Sequence, residues 1–270
     1  MAHAILREKR PSVVFSKGGY MSVPVCWAAH RLKIPIMLHE SDVISGWANR
    51  LVARWADVIC LGTLETTPPG PKYAVTGNPV DPGITQGSRD DGLGLTGLSG
   101  TRPILLVLGG SQGSLSINEV IAANLDALLA VCDIIHITGK GKRTIRRSQE
   151  GYWQVPFAFE ELPHLYALAD LAVSRAGANT IADLAANGIP AILVPLRGVA
   201  HDHQERNARQ AETSGGCIVL EQHLLNRELV STVQKLLEPR EQARMSHAIR
   251  SLFHPDATRQ IAELIGRYLA

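Results

Sequence analysis

The sequence predicts an α/β fold built on a largely parallel sheet with helices on both faces. Three observations carry that reading. Short apolar runs alternate with helix-length stretches along most of the 270 residues. The runs are dominated by Ile, Leu, Val and Ala, as suits strands covered on both sides. The polar and glycine-rich segments fall at the carboxyl ends of those strands, where open α/β sheets bind ligands.

In order along the chain, strands are expected over 13–15, 34–38, 58–60 and 73–75. Helical periodicity covers 23–32, with Pro24 in the first turn where a missing N–H costs nothing, and again 44–55. The first part thus starts directly on a strand and holds four. Residues 81–101 are rich in Gly, Asp, Ser and Thr and lack apolar periodicity, so 85–101 read as a linker or mobile loop. The second part repeats the rhythm more completely. Strands are expected at 104–108, 133–137, 171–174, 191–194 and 217–220, with a weaker one at 154–157. Helices are expected at 115–130, 162–169, 180–186 and 205–213, and three more in 226–270.

The bulk composition excludes several classes. The 27 basic and 25 acidic residues give a formal charge of +2, which demands no nucleic acid. The four cysteines, Cys26, Cys60, Cys132 and Cys217, form no CxxC pair, and reduced core cysteine is the expectation. A cytoplasmic protein fits that usage. No apolar span reaches the roughly 20 residues needed to cross a bilayer, and no signal-peptide pattern opens the chain. Contact with a membrane surface stays open, since it needs only an exposed patch.

The most informative segment is Gly109-Gly110-Ser111-Gln112-Gly113, a corner between an apolar strand and a helix. Bare N–H groups there can seat a pyrophosphate, and a tight turn without a ligand is the alternative. The glycine spacing is not that of the dinucleotide fingerprint. Arg175-Ala176-Gly177-Ala178-Asn179-Thr180 is the second such segment. Asn179 or Thr180 can cap a helix, and Asp183 lies one turn on, able to accept both hydroxyls of a ribose or to be a solvated carboxylate. His201 and His203 stand two residues apart without further ligands, so no metal site is specified. Gln204 and Asn207 belong to the same polar segment, which reads as a loop able to hydrogen-bond a sugar or phosphate. His39 and Glu40 end a strand and could relay a proton or orient a helix. Ser111 lacks a nucleophile-elbow context, and Lys140 lacks Walker spacing.

Seven motifs in register resemble one family. They are Lys17-Gly18-Gly19-Tyr20, His39-Glu40-Ser41-Asp42, Gly77-Asn78-Pro79-Val80, Gly109 to Gly113, Thr138-Gly139-Lys140, Arg175 to Thr180, and His203-Gln204-Glu205-Arg206-Asn207. The chain is similar over nearly its whole length to the MurG-like N-acetylglucosaminyltransferases of peptidoglycan-precursor synthesis. The resemblance implies a GT-B type fold of two Rossmann-like domains, the first incomplete. It implies 1–84 as a partial N-terminal acceptor-side domain, 102–253 as the C-terminal UDP-sugar-binding domain, and 254–270 as a helix packing back on the first domain.

The same resemblance implies a function. UDP-N-acetylglucosamine is the donor, undecaprenyl-pyrophosphoryl-N-acetylmuramoyl-pentapeptide the acceptor, and transfer to the muramyl C4 hydroxyl is inverting. The location implied is peripheral, on the cytoplasmic side of the cell membrane. No cofactor or metal is implied. Gly110, Ser111, Gln112 and Gly113 face the donor phosphates. Phe159 and Leu162 border the uracil, Asp183 holds the ribose, and Gln204 and Asn207 meet the sugar. Arg175 joins this donor set. Lys17, Gly18, Gly19, Tyr20 and Asn78 are acceptor-side. His39 and Glu40 are the visible catalytic candidates, because the family's usual base lies in an opening strand and glycine-rich loop that this chain does not show. Two positions depart from the family: Asp183 replaces a glutamate, and Asp81 stands where an arginine is frequent. A separate N-terminal half is one expectation from the late start. A catalytically impaired nucleotide-sugar-binding fragment, or one subunit of a split transferase, is the alternative function.

Overall fold

Every named strand pairing is parallel, in two separate sheets. Parallel neighbours need a crossover, and helices supply it. The computed structural model describes residues 1–63, 70–110, 112–142, 149–196, 198 and 202–269. These divide into two compact units: 1–79 with 198–206 and 254–270, and 80–197 with 207–253.

The first unit opens with helix α1 (Ala2–Lys9), not with a strand. Only Leu6 of α1 is buried, so the helix carries almost no apolar period for sequence reading to detect. The strands β1 (Val14–Ser16), β2 (Ile36–Glu40), β3 (Val58–Leu61) and β4 (Tyr73–Val75) form a sheet in that order. Helix α2 (Ser22–Arg31) buries Cys26, Ala28 and Ala29 on one face of it, against Ile36, Leu38 and Ile59. Helix α3 is only Trp47–Val52, shorter than expected. The other face is covered by α12 (Ala257–Gly266), whose Ile261 packs on Met37 and Cys60.

The second unit contains a six-stranded sheet. In chain order its strands are β5 (Ile104–Leu108), β6 (Asp133–Ile137), β7 (Tyr152–Val155), β8 (Leu171–Ser174), β9 (Ala191–Leu193) and β10 (Cys217–Val219). Across the sheet the order is β10-β9-β8-β5-β6-β7. All of β5 is buried. Ile104 and Leu106 join one core cluster, and Leu105 and Val107 the other, so the strand feeds two cores at once. Truncating such a residue, Leu106→Ala for example, costs about 2–5 kcal/mol. The chain proceeds from β5 outward one way and from β8 outward the other. The reversal point lies between them, and the loops leaving β5 and β8 part there.

Residues 85–101 are not a structureless linker. A 3₁₀ turn (Pro82–Thr85) and helix α4 (Arg89–Thr96) occupy the region. Ser88 caps α4 by accepting from Asp91 N, Asp90 and Asp91 complement its amino end, and Gly97 ends it in the left-handed region. Those capping signals outweighed the weak apolar pattern. The units divide after Pro79, rather than near 84, and 198–206 group with the first unit. The single helix expected over 115–130 is two, α5 (Leu115–Ala123) and α6 (Leu125–Leu129), broken at Asn124. Asn124 donates its amide to Val120 O and Asn226 Oδ1 instead of continuing the helix. The remaining helices are α7 (Leu162–Leu168), α8 (Ala178–Asn187), α9 (His203–Glu212), α10 (Gln222–Leu236) and α11 (Pro239–Ile249).

Candidate functional site

At the β5 side of the reversal point the chain makes a tight corner. Gly113 N donates to Gly110 O at 2.9 Å, and Ser114 caps α5 by accepting from Ile117 N. The corner has one packed side and one open side. Gly113 has φ +69°, and a Cβ there would run into Thr138 O and the Gly139 backbone. Gly110 has φ +79°, and a Cβ there would meet nothing within 4 Å. The open side therefore offers bare backbone beside the amino end of α5, the arrangement that attracts anions. Gln112 is exposed beside it. Ser111 lies outside the described residues.

The β8 side of the unit is tied to this corner by Arg175. Its guanidinium is buried and donates to Val194 O, Ser114 Oγ, Ser116 Oγ and Gln222 Oε1 at 2.8–3.0 Å. It thus fixes the start of α5 against the ends of β9 and α10. Sequence reading placed Arg175 with the donor but could not see these four acceptors. Burial lowers its pKa, and the four acceptors offset the desolvation. Helix α8 is not capped by Asn179 or Thr180: Gly177 is the N-cap, without a side-chain bond. Asp183 projects from α8 with its pKa raised to about 6, by burial first and by the nearby Asp81 carboxylate second. Burial and Asp183 also push the Tyr166 phenol up. Gln204 and Asn207 lie on α9, not in a loop. Asn207 is buried and donates to Ala176 O at 3.2 Å, holding the turn after β8. Phe159 is 75% exposed, and Leu162 is half-buried against the core at the start of α7.

The first unit contains the other predicted residues. His39 is fully buried at the end of β2. Its Nε2 lies 3.1 Å from Gly77 O, so that nitrogen carries the proton and donates. Nδ1 then accepts from Lys17 Nζ at 3.0 Å and faces Ser41 Oγ at 3.3 Å. Burial first, and Lys17 to a lesser degree, lower the His39 pKa to about 4 against the opposing Gly77 hydrogen bond. The ring is therefore neutral near pH 7, with Nδ1 directed at Lys17 and Ser41. Glu40 is also buried. It accepts from Asn49 Nδ2 at 2.7 Å and Asp42 N at 3.2 Å, which holds the loop after β2. Burial raises its pKa. Gly18 is needed because a Cβ would strike the Asn49 amide. Asn78 donates to Ser41 O at 3.0 Å. Gly19 and Tyr20 are exposed. His203 Nδ1 pairs with Asp42 Oδ2 at 3.2 Å.

Among the described residues no group of three or more His, Cys, Asp or Glu could hold a metal ion, and His201 lies outside them. Sequence reading missed two features of the second unit. One is the electrostatic effect of Asp81 on Asp183. The other is Asn118, four residues after the Ser114 cap, a spacing that points back along the helix to the same turn.

The chain matches two family models: the glycosyltransferase family 28 N-terminal domain over residues 1–61, and the C-terminal domain of the same family over 104–261. A UDP-N-acetylglucosamine--N-acetylmuramyl-(pentapeptide) pyrophosphoryl-undecaprenol N-acetylglucosamine transferase from Clostridium botulinum (strain Hall) is 38% identical over 272 residues, spanning 99% of this chain and 76% of that protein. This chain belongs to that transferase family. A family member from Shouchella clausii is 42% identical over 245 residues, 89% of this chain and 69% of its own. Among solved structures, Acinetobacter baumannii MurG superposes with a TM-score of 0.76 at 26% identity, covering 98% of this chain and 76% of its own. The UDP-GlcNAc 2-epimerase of Neisseria meningitidis shares the fold at TM-score 0.72 and 16% identity, covering 98% and 79%. The family's architecture is GT-B, two tandem α/β domains, and the two sheets described above are those of its domains.

Proposed function

We infer that this chain transfers N-acetylglucosamine from UDP-N-acetylglucosamine to the C4 hydroxyl of undecaprenyl-pyrophosphoryl-N-acetylmuramoyl-pentapeptide, with inversion, in peptidoglycan synthesis. Family membership supports the substrates, and the lipid-linked acceptor supports a peripheral location on the cytoplasmic side of the membrane. Among the described residues no helix is long and apolar enough to cross a membrane.

One observation carries the donor reading: the open side of the Gly110–Gly113 corner beside the amino end of α5, at the reversal point of the sheet. The UDP diphosphate would sit there. In the transfer, the acceptor hydroxyl attacks the anomeric carbon from the face opposite UDP. The bond from that carbon to the phosphate oxygen breaks as UDP leaves. The backbone N–H groups and helix end stabilise the charge that grows on the leaving phosphate. Asp183 would accept the ribose hydroxyls, Phe159 and Leu162 would flank the base, and Gln204 and Asn207 would meet the sugar. Arg175 would act indirectly, by holding α5. Lys17 and Asn78, with Gly18, Gly19 and Tyr20, form the acceptor-side proposal. His39 and Glu40 remain the candidates to take the acceptor's proton.

Calorimetric titration with UDP-N-acetylglucosamine should give saturable one-site binding, and a radiolabelled-sugar assay with the lipid acceptor should give product. Absence of binding at millimolar donor would overturn the reading. Binding without transfer would favour a nucleotide-sugar-binding fragment or one subunit of a split enzyme.

A further inference from the structure

A buried polar chain crosses the second unit beneath the corner. His136 sits on β6 and is fully buried, as is Asn118 on α5. Asn118 Nδ2 donates to two carbonyls of the segment that follows β6, Thr138 O at 2.8 Å and Lys142 O at 2.9 Å. Both amide protons are thereby used, and Oδ1 remains as an acceptor. It lies 3.0 Å from His136 Nε2, which must therefore carry the ring proton. His136 Nδ1 is then the acceptor, 2.9 Å from the hydroxyl of Tyr152 on β7. One protonation pattern satisfies the whole chain: Tyr152 O–H to His136 Nδ1, His136 Nε2–H to Asn118 Oδ1, Asn118 N–H groups to the two carbonyls. Burial, which lowers the His136 pKa to about 4, keeps the ring neutral.

The carbonyls held by Asn118 belong to the turn on which the corner rests. Gly113 and Gly139 approach so closely that a Cβ on either would strike the backbone of the other. Lys142 Nζ adds a bond to Gly113 O at 3.2 Å. The atoms that a Cβ on Gly113 or Gly139 would meet first are all backbone. The height of the Thr138–Gly141 turn therefore sets the height of the corner.

We propose that Asn118, held in one orientation by His136 and Tyr152, is a positioning residue for the donor diphosphate: it fixes the turn after β6 and, through it, the backbone of Gln112 and Gly113 that lines the corner. This rests on the donor reading given above. An aliphatic core at these three positions would pack a sheet equally well, but it would leave the two carbonyls unpaired and the turn unfixed.

The test uses Tyr152→Phe, which removes one oxygen, and Asn118→Asp, which keeps the volume and removes both donors. A control, Leu229→Ala, lowers stability from a fully buried site on α10. For each, the UDP Kd is measured by calorimetry, the KM values for donor and lipid acceptor by the transfer assay, and Tm by thermal melting. Asn118→Asp should weaken UDP and raise the donor KM by about 10- to 100-fold, with the acceptor KM unchanged. Tyr152→Phe should shift both in the same direction by a smaller factor. The control should lose Tm with its UDP Kd unchanged. If Asn118→Asp fails to fold, Tyr152→Phe decides. Variants that lose Tm but bind UDP like the parent, or a control that loses UDP affinity equally, overturn the proposal. A parent chain that binds no UDP removes the donor reading itself, which is a separate and distinguishable failure.

Discussion

Asp183 shows how a neighbour changes a residue's chemistry. On a helix surface its carboxylate would titrate in the ordinary range. Here burial, aided by Asp81, raises the pKa from 3.8 to about 6. The folded state therefore holds the proton more tightly than the unfolded chain. The favourable contribution to stability is full below pH 3.8 and is lost as pH rises through 6. We expect Asp183→Asn to melt higher than the parent at pH 7.5, by about 1–3 kcal/mol in stability, and no higher at pH 3.5. Binding runs the other way, because the ribose hydroxyls need the ionised acceptor. Donor affinity should fall as pH drops from 7.5 to 5 in the parent and stay flat in Asp183→Ala. That variant should bind about 1–3 kcal/mol more weakly at pH 7.5, as calorimetry would report. An unchanged affinity would remove Asp183 from the ribose.

At the scale of elements, the glycine corner and its supporting turn act as one unit. Gly113→Ala puts a side chain at φ +69° and drives it into the Thr138 carbonyl. The cost should exceed about 1 kcal/mol in a denaturant titration, and UDP affinity should fall with it. Helix α4 gives an independent check on local signals. Ser88→Ala removes the cap bond to Asp91 N and should cost about 1 kcal/mol, with UDP binding unchanged. The segment read as a linker has its informative residues at its ends, Ser88 and Gly97, where capping chemistry and not apolar period marks a helix. Helix α1 was missed for a related reason: one buried leucine makes no stripe.

At the scale of the whole molecule, the four cysteines report on both units together. Cys26 and Cys60 lie in the first unit and Cys132 and Cys217 in the second, all buried and all reduced. Burial raises every one of their pKa values, to about 11 for Cys60 and about 12 for Cys132 and Cys217. At pH 8 a thiol-specific chromogenic reagent should leave the native protein unlabelled and react with all four cysteines in denaturant. Labelling of one cysteine in the native protein would mark local opening of its unit.

The sequence by itself determined the α/β class, nearly all of the strands, and the glycine corner, because apolar runs and glycines between them are local facts with local causes. Seven motifs in order were also enough to point to the family. Only the tertiary structure decided what the polar residues do. The fold sets Gly77 O against one nitrogen of His39 and Lys17 against the other, which fixes its tautomer. Arg175 was placed with the donor, and the fold surrounds it with four acceptors from three other elements. Asn118, His136 and Tyr152 lie up to 34 residues apart in the chain and meet only because α5 returns beside β6, which pairs with β7. A side chain's apolar face is set by its own period, but its hydrogen bonds and its pKa are set by whatever the fold brings beside it.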